Sequence, residues 1–235
     1  MGKKGMPATA IARVPWLPNS RFLKGLGARE VDRIKAAAKP RRYMANAVIT
    51  NQSAPGAHLF LLTSGRARHF YLTPEGKKTL LLWLTPGDIF GGVAFLSEDK
   101  DYLLSTEAVS DSSVLVWDRG ALRELAGQYP KLAENALSIA SDYLAWYLAD
   151  HIALISHGAH QRLAQVLICL AKTIGQQTRT GVEFDVTNED LASAANLTPF
   201  TVSRVLSQWQ ASRAIVKRRG KLVLRSTELL LLNTR

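Results

Sequence analysis

The chain has 235 residues, 47% of them apolar, and carries 30 Lys and Arg against 19 Asp and Glu for a formal charge of +11. That apolar share supports a packed core in one large domain or two of ordinary size, and excludes a disordered polyelectrolyte. The single cysteine, Cys169, excludes an intrachain disulfide, a Cys-ligated zinc site and a four-thiolate iron–sulfur cluster, in keeping with a reducing cytoplasm.

In chain order, residues 1–18 predict a mobile basic leader. Met1-Gly2-Lys3-Lys4-Gly5-Met6 lacks the hydroxyl that an acylation signal needs at position 6, and no apolar secretion core follows. Residues 19–38 predict a short helical lead-in, capped by Asn19 or Ser20, with Phe22, Leu23, Leu26, Val31 and Ile34 at helical spacing and Pro40 as its stop. The texture then changes. Short apolar or alternating runs at 47–49, 59–62, 69–72, 80–84 and 114–117 are separated by Ser64-Gly65, Pro74-Glu75-Gly76 and Pro86-Gly87-Asp88, which favour tight reversals. Many short strands at near-regular spacing predict a β-sandwich or roll.

Beyond Trp117 the pattern is helical, with a short piece at 122–126 and a long segment at 131–156 free of Gly and Pro. Leu132, Ile139, Trp146 and Ala153 recur there every seven residues, flanked by Ala136, Ala140, Tyr143, Tyr147 and Leu154. A helix apolar on more than one side needs two partners, so one face is expected to cover the roll and another to meet a second copy of the chain. Asp142, Asp150 and His151 interrupt the stretch, which therefore does not predict a membrane span. His157-Gly158-Ala159-His160 marks a hinge at 156–160 before a helix at 161–172; these histidines lack an evident third ligand, and no metal site is expected.

Thr187-Asn188-Glu189-Asp190 opens a helix with a capping hydroxyl and an acid at its third position, and Thr198-Pro199 opens the next, with Pro where its missing N–H costs nothing. Only Asn196 and Leu197 separate them. Small Ala192 at the crossing, Asn196 suited to a left-handed turn, and inward Val202 and Val205 complete a helix-turn-helix pattern. Thr198, Pro199, Phe200, Thr201, Ser203 and Arg204 then occupy the end that enters a major groove: Arg204 can pair bidentately with guanine and Phe200 can lie on a thymine methyl. Residues 214–224 predict a hairpin with a cationic tip, a wing whose Arg218 and Lys221 would meet phosphates. No carboxylate lies between Asp190 and Glu228, while Arg204, Arg213, Lys217, Arg218, Arg219, Lys221 and Arg225 crowd that stretch. A patch of one sign attracts nucleic acid.

The order of these parts resembles the Crp/Fnr family over roughly residues 19–232. The marks are Leu62-Thr63-Ser64-Gly65, Leu84-Thr85-Pro86-Gly87-Asp88-Ile89-Phe90-Gly91, Arg162-Leu163-Ala164 and Thr201-Val202-Ser203-Arg204. The resemblance implies an α+β chain: an amino-terminal β-roll (a double-stranded β-helix or jelly roll) at 19–130, a dimerisation helix at 131–157 and a carboxy-terminal winged helix-turn-helix at 158–235. It also implies a cytoplasmic homodimer without enzymatic activity, an inverted-repeat double-stranded DNA operator, contact with RNA polymerase, and Ser203 and Arg204 on bases. Phe200 stands where the family often has Glu, so the operator sequence does not carry over. An effector pocket is expected from Gly91, Gly92, Val93, Ser105, Thr106, Tyr143 and Tyr147. Cyclic-nucleotide binders of the family have a Glu right after the Gly of the cassette and an Arg-Ser pair about ten residues on; here those places read Gly91-Gly92 and Leu104-Ser105. Cyclic AMP is therefore not the expected ligand, and the effector is unidentified. A haem held through His69 or His151 is the alternative sensor. Two other classes weigh less. A cupin-type metal enzyme would need a His-x-His pair that the chain lacks, and a module binding protein or anionic lipid leaves the tandem capped helices unexplained.

Overall fold

The structure, a computed structural model, describes residues 20–96, 100–218 and 220–232; the leader, Asn19 and Arg219 lie outside the described residues. Two four-stranded antiparallel sheets form the amino-terminal part. One has the order β1 (Lys39–Tyr43), β8 (Ser112–Asp118), β3 (His58–Ser64), β6 (Ile89–Phe90). The other runs β2 (Val48–Thr50), β7 (Ser105–Ala108), β4 (Ala67–Leu72), β5 (Lys78–Leu84).

The run at 59–62 is apolar at every position because β3 is covered on both faces. Phe60 and Leu62 point between the sheets, where Leu84, Phe90, Val114 and Val116 meet them. Leu59 and Leu61 point the other way, with Leu115 and Trp117 of β8, into a second core shared with helices. Side chains alternate along a strand, so one strand serves both clusters, and each fully buried Leu contributes about 1.5–3 kcal/mol. Trp117 also donates its indole N–H to the Ile34 carbonyl at 2.8 Å.

The helices covering that outer face are α1 (Ala28–Ala36), α2 (Val93–Leu96), α3 (Arg119–Gln128) and the first half of α4 (Lys131–Ser156). The lead-in expected as one helix is split into a 3₁₀ turn, Arg21–Leu23, and α1, because Gly25 takes φ +78° and Gly27 is extended. Pro40, expected only as a helix stop, sits in β1. That strand lies at the sheet edge with four of its five residues exposed, where a missing N–H is tolerated. The row Leu132, Ile139 and Ala153 on α4 is buried, the first two against the roll, and Asn135 donates to the Phe22 and Lys24 carbonyls at 2.9 and 2.8 Å. The seven-residue row thus faces its own chain. A different row, Leu137, Leu144, Leu148, Ile152 and Ile155, is 56–75% exposed.

His157 and Gly158, both extended, separate α4 from α5 (Ala159–Thr173). There follow β9 (Gln176–Thr178), β10 (Gly181–Asp185), α6 (Asn188–Ala195), α7 (Pro199–Ala211), β11 (Ile215–Arg218), β12 (Lys221–Leu224) and α8 (Thr227–Leu232). The expected hairpin is β11–β12, extended by β10 and β9 into a four-stranded sheet. Leu163, Leu167, Phe184, Val205, Trp209 and Leu224 anchor the core of this part, against which Trp83 of β5 packs from the roll.

Within the roll, His69 is half-buried, its Nδ1 3.0 Å from Thr106 Oγ1 and its ring edge-on to Phe90. Burial lowers the imidazole to about 4, only partly offset by a hydrogen bond with the Ser105 backbone. Since this lies below the unfolded value of about 6.5, the unfolded chain takes up the proton first as pH falls. Stability is therefore unaffected above about pH 6.5 and is lost between there and about pH 4, by about 3 kcal/mol. Urea unfolding across that window should show the wild type losing about 3 kcal/mol more than His69→Gln; equal losses would mean that the imidazole titrates normally.

Candidate nucleic-acid interface

The carboxy-terminal helices are placed by their ends. Thr187 Oγ1 accepts from the Asp190 backbone N–H at 3.0 Å and Asp190 Oδ2 from that of Thr187 at 3.3 Å, a reciprocal cap on α6. Asn196 closes α6 at φ 49°, in the left-handed region, and Leu197 N–H reaches back to the Ala192 carbonyl at 2.8 Å. Thr198 then caps α7 through the Thr201 N–H at 3.1 Å, with Pro199 in its first turn. Ala192, 3% exposed, lets the helices approach closely, and Val202, Val205, Leu206 and Trp209 bury one face of α7.

The opposite face is free. Phe200 is 77% exposed, Arg204 is exposed and has no ion-pair partner among the described residues, and Thr198 and Pro199 are exposed beside half-buried Thr201 and Ser203. A large aromatic ring left in water at the head of a capped helix has no packing role, and the geometry leaves it, with Arg204, available to base edges. On the wing, Lys221 is bound by Glu183 of β10 at 2.7 Å and Arg218 approaches the same carboxylate at 3.7 Å. The Lys221 hydrogen bond holds Glu183 below, and Lys221 above, their ordinary ranges. The wing is therefore compensated by an acid from a strand that the linear charge count missed. Lys217 donates to Asn188 Oδ1 at 3.2 Å.

The residues expected around an effector come from the turn between β6 and α2, from β7 and from α4. Gly91 (φ +76°) turns β6 into α2 so closely that a Cβ would lie 2.4 Å from the His58 carbonyl, while Gly92 has open space around it and Val93 packs between the sheets. Ser105 and Thr106 are buried on β7: Ser105 Oγ accepts from Gln52 N–H at 2.9 Å and Thr106 Oγ1 pairs with Thr50 at 2.8 Å. Tyr143 of α4 belongs to the outer core, and burial, reinforced by Asp88 and Tyr147, raises its phenol well above the ordinary range. His69 is engaged as described, and His151 is exposed on α4. Among the described residues no group of three or more His, Cys, Asp or Glu could hold a metal, and no helix is long and apolar enough to cross a membrane.

One set of contacts was not foreseen. Arg68 of β4 pairs with Glu107 and with Asp190, each at 2.5 Å; Arg66 pairs with Asp185 at 3.3 Å; and Ser193 Oγ accepts from the Leu80 N–H at 2.7 Å. Burial pushes the Glu107 carboxyl up, but hydrogen bonds from Lys78 and Arg68 outweigh it and hold it below the usual range. Alternation along 67–72 marks Arg68 as pointing away from the roll interior; nothing local in the sequence says which acid it meets.

An antiparallel roll joined by a long helix to a winged helix-turn-helix, with the second helix of the pair exposed, defines a two-part DNA-binding transcription regulator. The family model of the cyclic nucleotide-binding domain matches residues 40–129, and that of the Crp-like helix-turn-helix domain matches residues 161–231. The chain belongs to the Crp/Fnr family of regulators. It is 26% identical over 175 residues to the CRP-like cAMP-activated global transcriptional regulator of Mycobacterium tuberculosis, covering 74% of this chain and 77% of that protein. It is 28% identical over 215 residues to the nitrogen fixation regulation protein FixK of Azorhizobium caulinodans, covering 86% and 83%. The solved structure of FixK2 from Bradyrhizobium japonicum shares the fold with a TM-score of 0.72 at 23% identity, over 84% of this chain and 96% of that one.

The ion pair on the wing sets an expectation. Lys221→Ala should weaken binding to all DNA sequences alike and flatten the salt slope by about one, whereas Glu183→Gln, by freeing Lys221 and Arg218, should strengthen it several-fold at low salt. Salt-dependent fluorescence anisotropy measures both; a Glu183→Gln chain with unchanged affinity would mean that the wing does not meet phosphates.

Proposed function

We propose that the chain acts in the cytoplasm as a homodimeric, sequence-specific regulator that reads an inverted repeat with α7 of each copy, in reach of RNA polymerase. The exposed face of α7, with Phe200 and Arg204 presented on a helix capped by Thr198, carries this reading. Thr198, Pro199, Phe200, Thr201, Ser203 and Arg204 meet the groove, and Arg218 and Lys221 its phosphates. Two such helices about 34–36 Å apart would address successive major grooves. In functional terms residues 19–130 are the sensor, 131–157 the dimer helix and 158–235 the DNA-binding domain.

Dimerisation is supported by the outward row of α4. Five large aliphatic residues on one stripe of a 26-residue helix expose more apolar surface than a solvated helix carries without a partner. A second copy would bury it isologously.

The proposed effector pocket lies in the roll around Gly91, Gly92, Val93, Ser105, Thr106, Tyr143 and Tyr147, and its ligand is not cyclic AMP, although the Mycobacterium tuberculosis relative is named as cAMP-activated. By resemblance, Leu104, half-buried, stands where a phosphate-binding Arg is needed. A cyclic phosphate there would lose a charge-assisted bidentate partner, a deficit of several kcal/mol. The nearby interior is filled by the Phe60–Phe90 stack at 4.8 Å and by the Tyr102 hydroxyl, 3.0 Å from both the His58 N–H and carbonyl.

Selection from random duplexes should recover an inverted repeat. Arg204→Ala should then cost about 1–3 kcal/mol on that site and relax preference at one base pair per half-site, and equal losses on random DNA would count against base readout. Sedimentation should find the wild type as two chains of 25.8 kDa and a Leu144→Glu, Leu148→Glu variant as one. A monomeric wild type would remove the dimer from the proposal.

A further inference from the structure

A cleft of about 660 Å3 opens between the roll and the DNA-binding domain, walled by β5, the second half of α4 and helices α5 to α7. Its apolar lining includes Leu82, Trp83, Trp146, Val166, Ile168 and Leu197. That size and composition suit a small organic molecule, and junctions between domains are where such sites occur. The cleft is not the surface proposed for dimerisation. Trp146 is two residues from both Leu144 and Leu148, about 200° around the helix, and so on its far side.

The chemistry of the ligand follows from one cation. Leu154, Gln165, Val166 and Ala194 line both the cleft and a smaller recess that reaches Arg162. The recess holds about 10 Å3, room for roughly one oxygen-sized group. Arg162 donates to the Leu154 and Asn196 carbonyls, both at 3.4 Å, the outer limit of a hydrogen bond, and its Nε is buried without a partner among the described residues. Guanidinium donors this poorly used leave capacity for an anion, which they bind as a fork. The rim adds Lys77 and Lys172 against Glu189, while Lys78 is already held by Glu107.

We propose that this cleft binds an organic carboxylate with an apolar alkyl or aryl body, the body lying between Trp83 and Trp146 and the carboxylate on Arg162. The site is separate from the roll pocket, and its test needs no DNA, so its failure leaves the regulator reading untouched.

Dodecanoate, kept below its micellar concentration, is titrated into the full chain by calorimetry and by maleimide alkylation of Cys169, which lines the cleft and is the sole cysteine. The acid should bind and slow alkylation, with dodecanol (body without anion) and acetate (anion without body) at least about tenfold weaker. Ala149→Trp, at an exposed position on the cleft wall, should abolish both signals by filling the space. Arg162→Gln should bring dodecanoate down to the level of dodecanol. Absence of heat and protection in the wild type, dodecanol binding as tightly as the acid, or binding that survives Ala149→Trp would each overturn the proposal. If circular dichroism shows Arg162→Gln unfolded, the dodecanol and Ala149→Trp arms decide it.

Discussion

The structure turns on the fact that α4 must satisfy apolar side chains on opposite sides at once. Its inner row is anchored by Leu132 and Ile139 in the outer core of the roll and by Asn135 on two carbonyls, so its direction is set by the roll. Twenty-six residues at a rise of about 1.5 Å carry that direction some 39 Å, ending where His157 and Gly158 release the chain into α5. The orientation of the DNA-binding helices is inherited from a packing decision made at the other end of the molecule.

At the far end a second set of constraints holds the two parts together. Asp190 is both the reciprocal cap of α6 and the acceptor for Arg68, so the helix start that positions the turn also takes part in the domain junction. Arg68 in turn shares Glu107 with Lys78. Its neighbour His69 points to the interior of the roll, onto Thr106 and Phe90. Successive residues of β4 therefore touch the roll interior and the DNA-binding domain, with no flexible segment between them.

What could be read in advance depended on whether the controlling interactions were local. The two caps at Thr187 and Thr198, the left-handed Asn196 and the small Ala192 lie within a dozen residues, and each acts on its immediate neighbours, so the helix-turn-helix was legible to the residue. The alternating runs of β3, β4, β5 and β8 were legible for the same reason. β1 was not, because a strand exposed at four of five positions has no apolar period and exists only through its pairing with β8. β9 and β10 were hidden likewise, and with them Glu183, whose neutralising contact with the wing depends on β10 pairing with β12. The heptad on α4 was legible as a buried stripe, but which of the two expected faces it forms was not: a seven-residue period says that a stripe is buried and does not say against what.

The same distinction separates the two ends of the molecule in a deeper way. A helix that enters a groove of fixed width must present its first turns at a fixed angle, which demands caps, a short turn and a small crossing residue in a set spacing. A ligand pocket has no comparable template. Ser105, Thr106 and His69 satisfy one another inside the roll through bonds to Gln52 and Thr50, while Tyr143 sits in a different core, and every one of these placements depends on residues more than twenty positions away. Kinship therefore carries over the DNA-binding framework more faithfully than the interior of the roll.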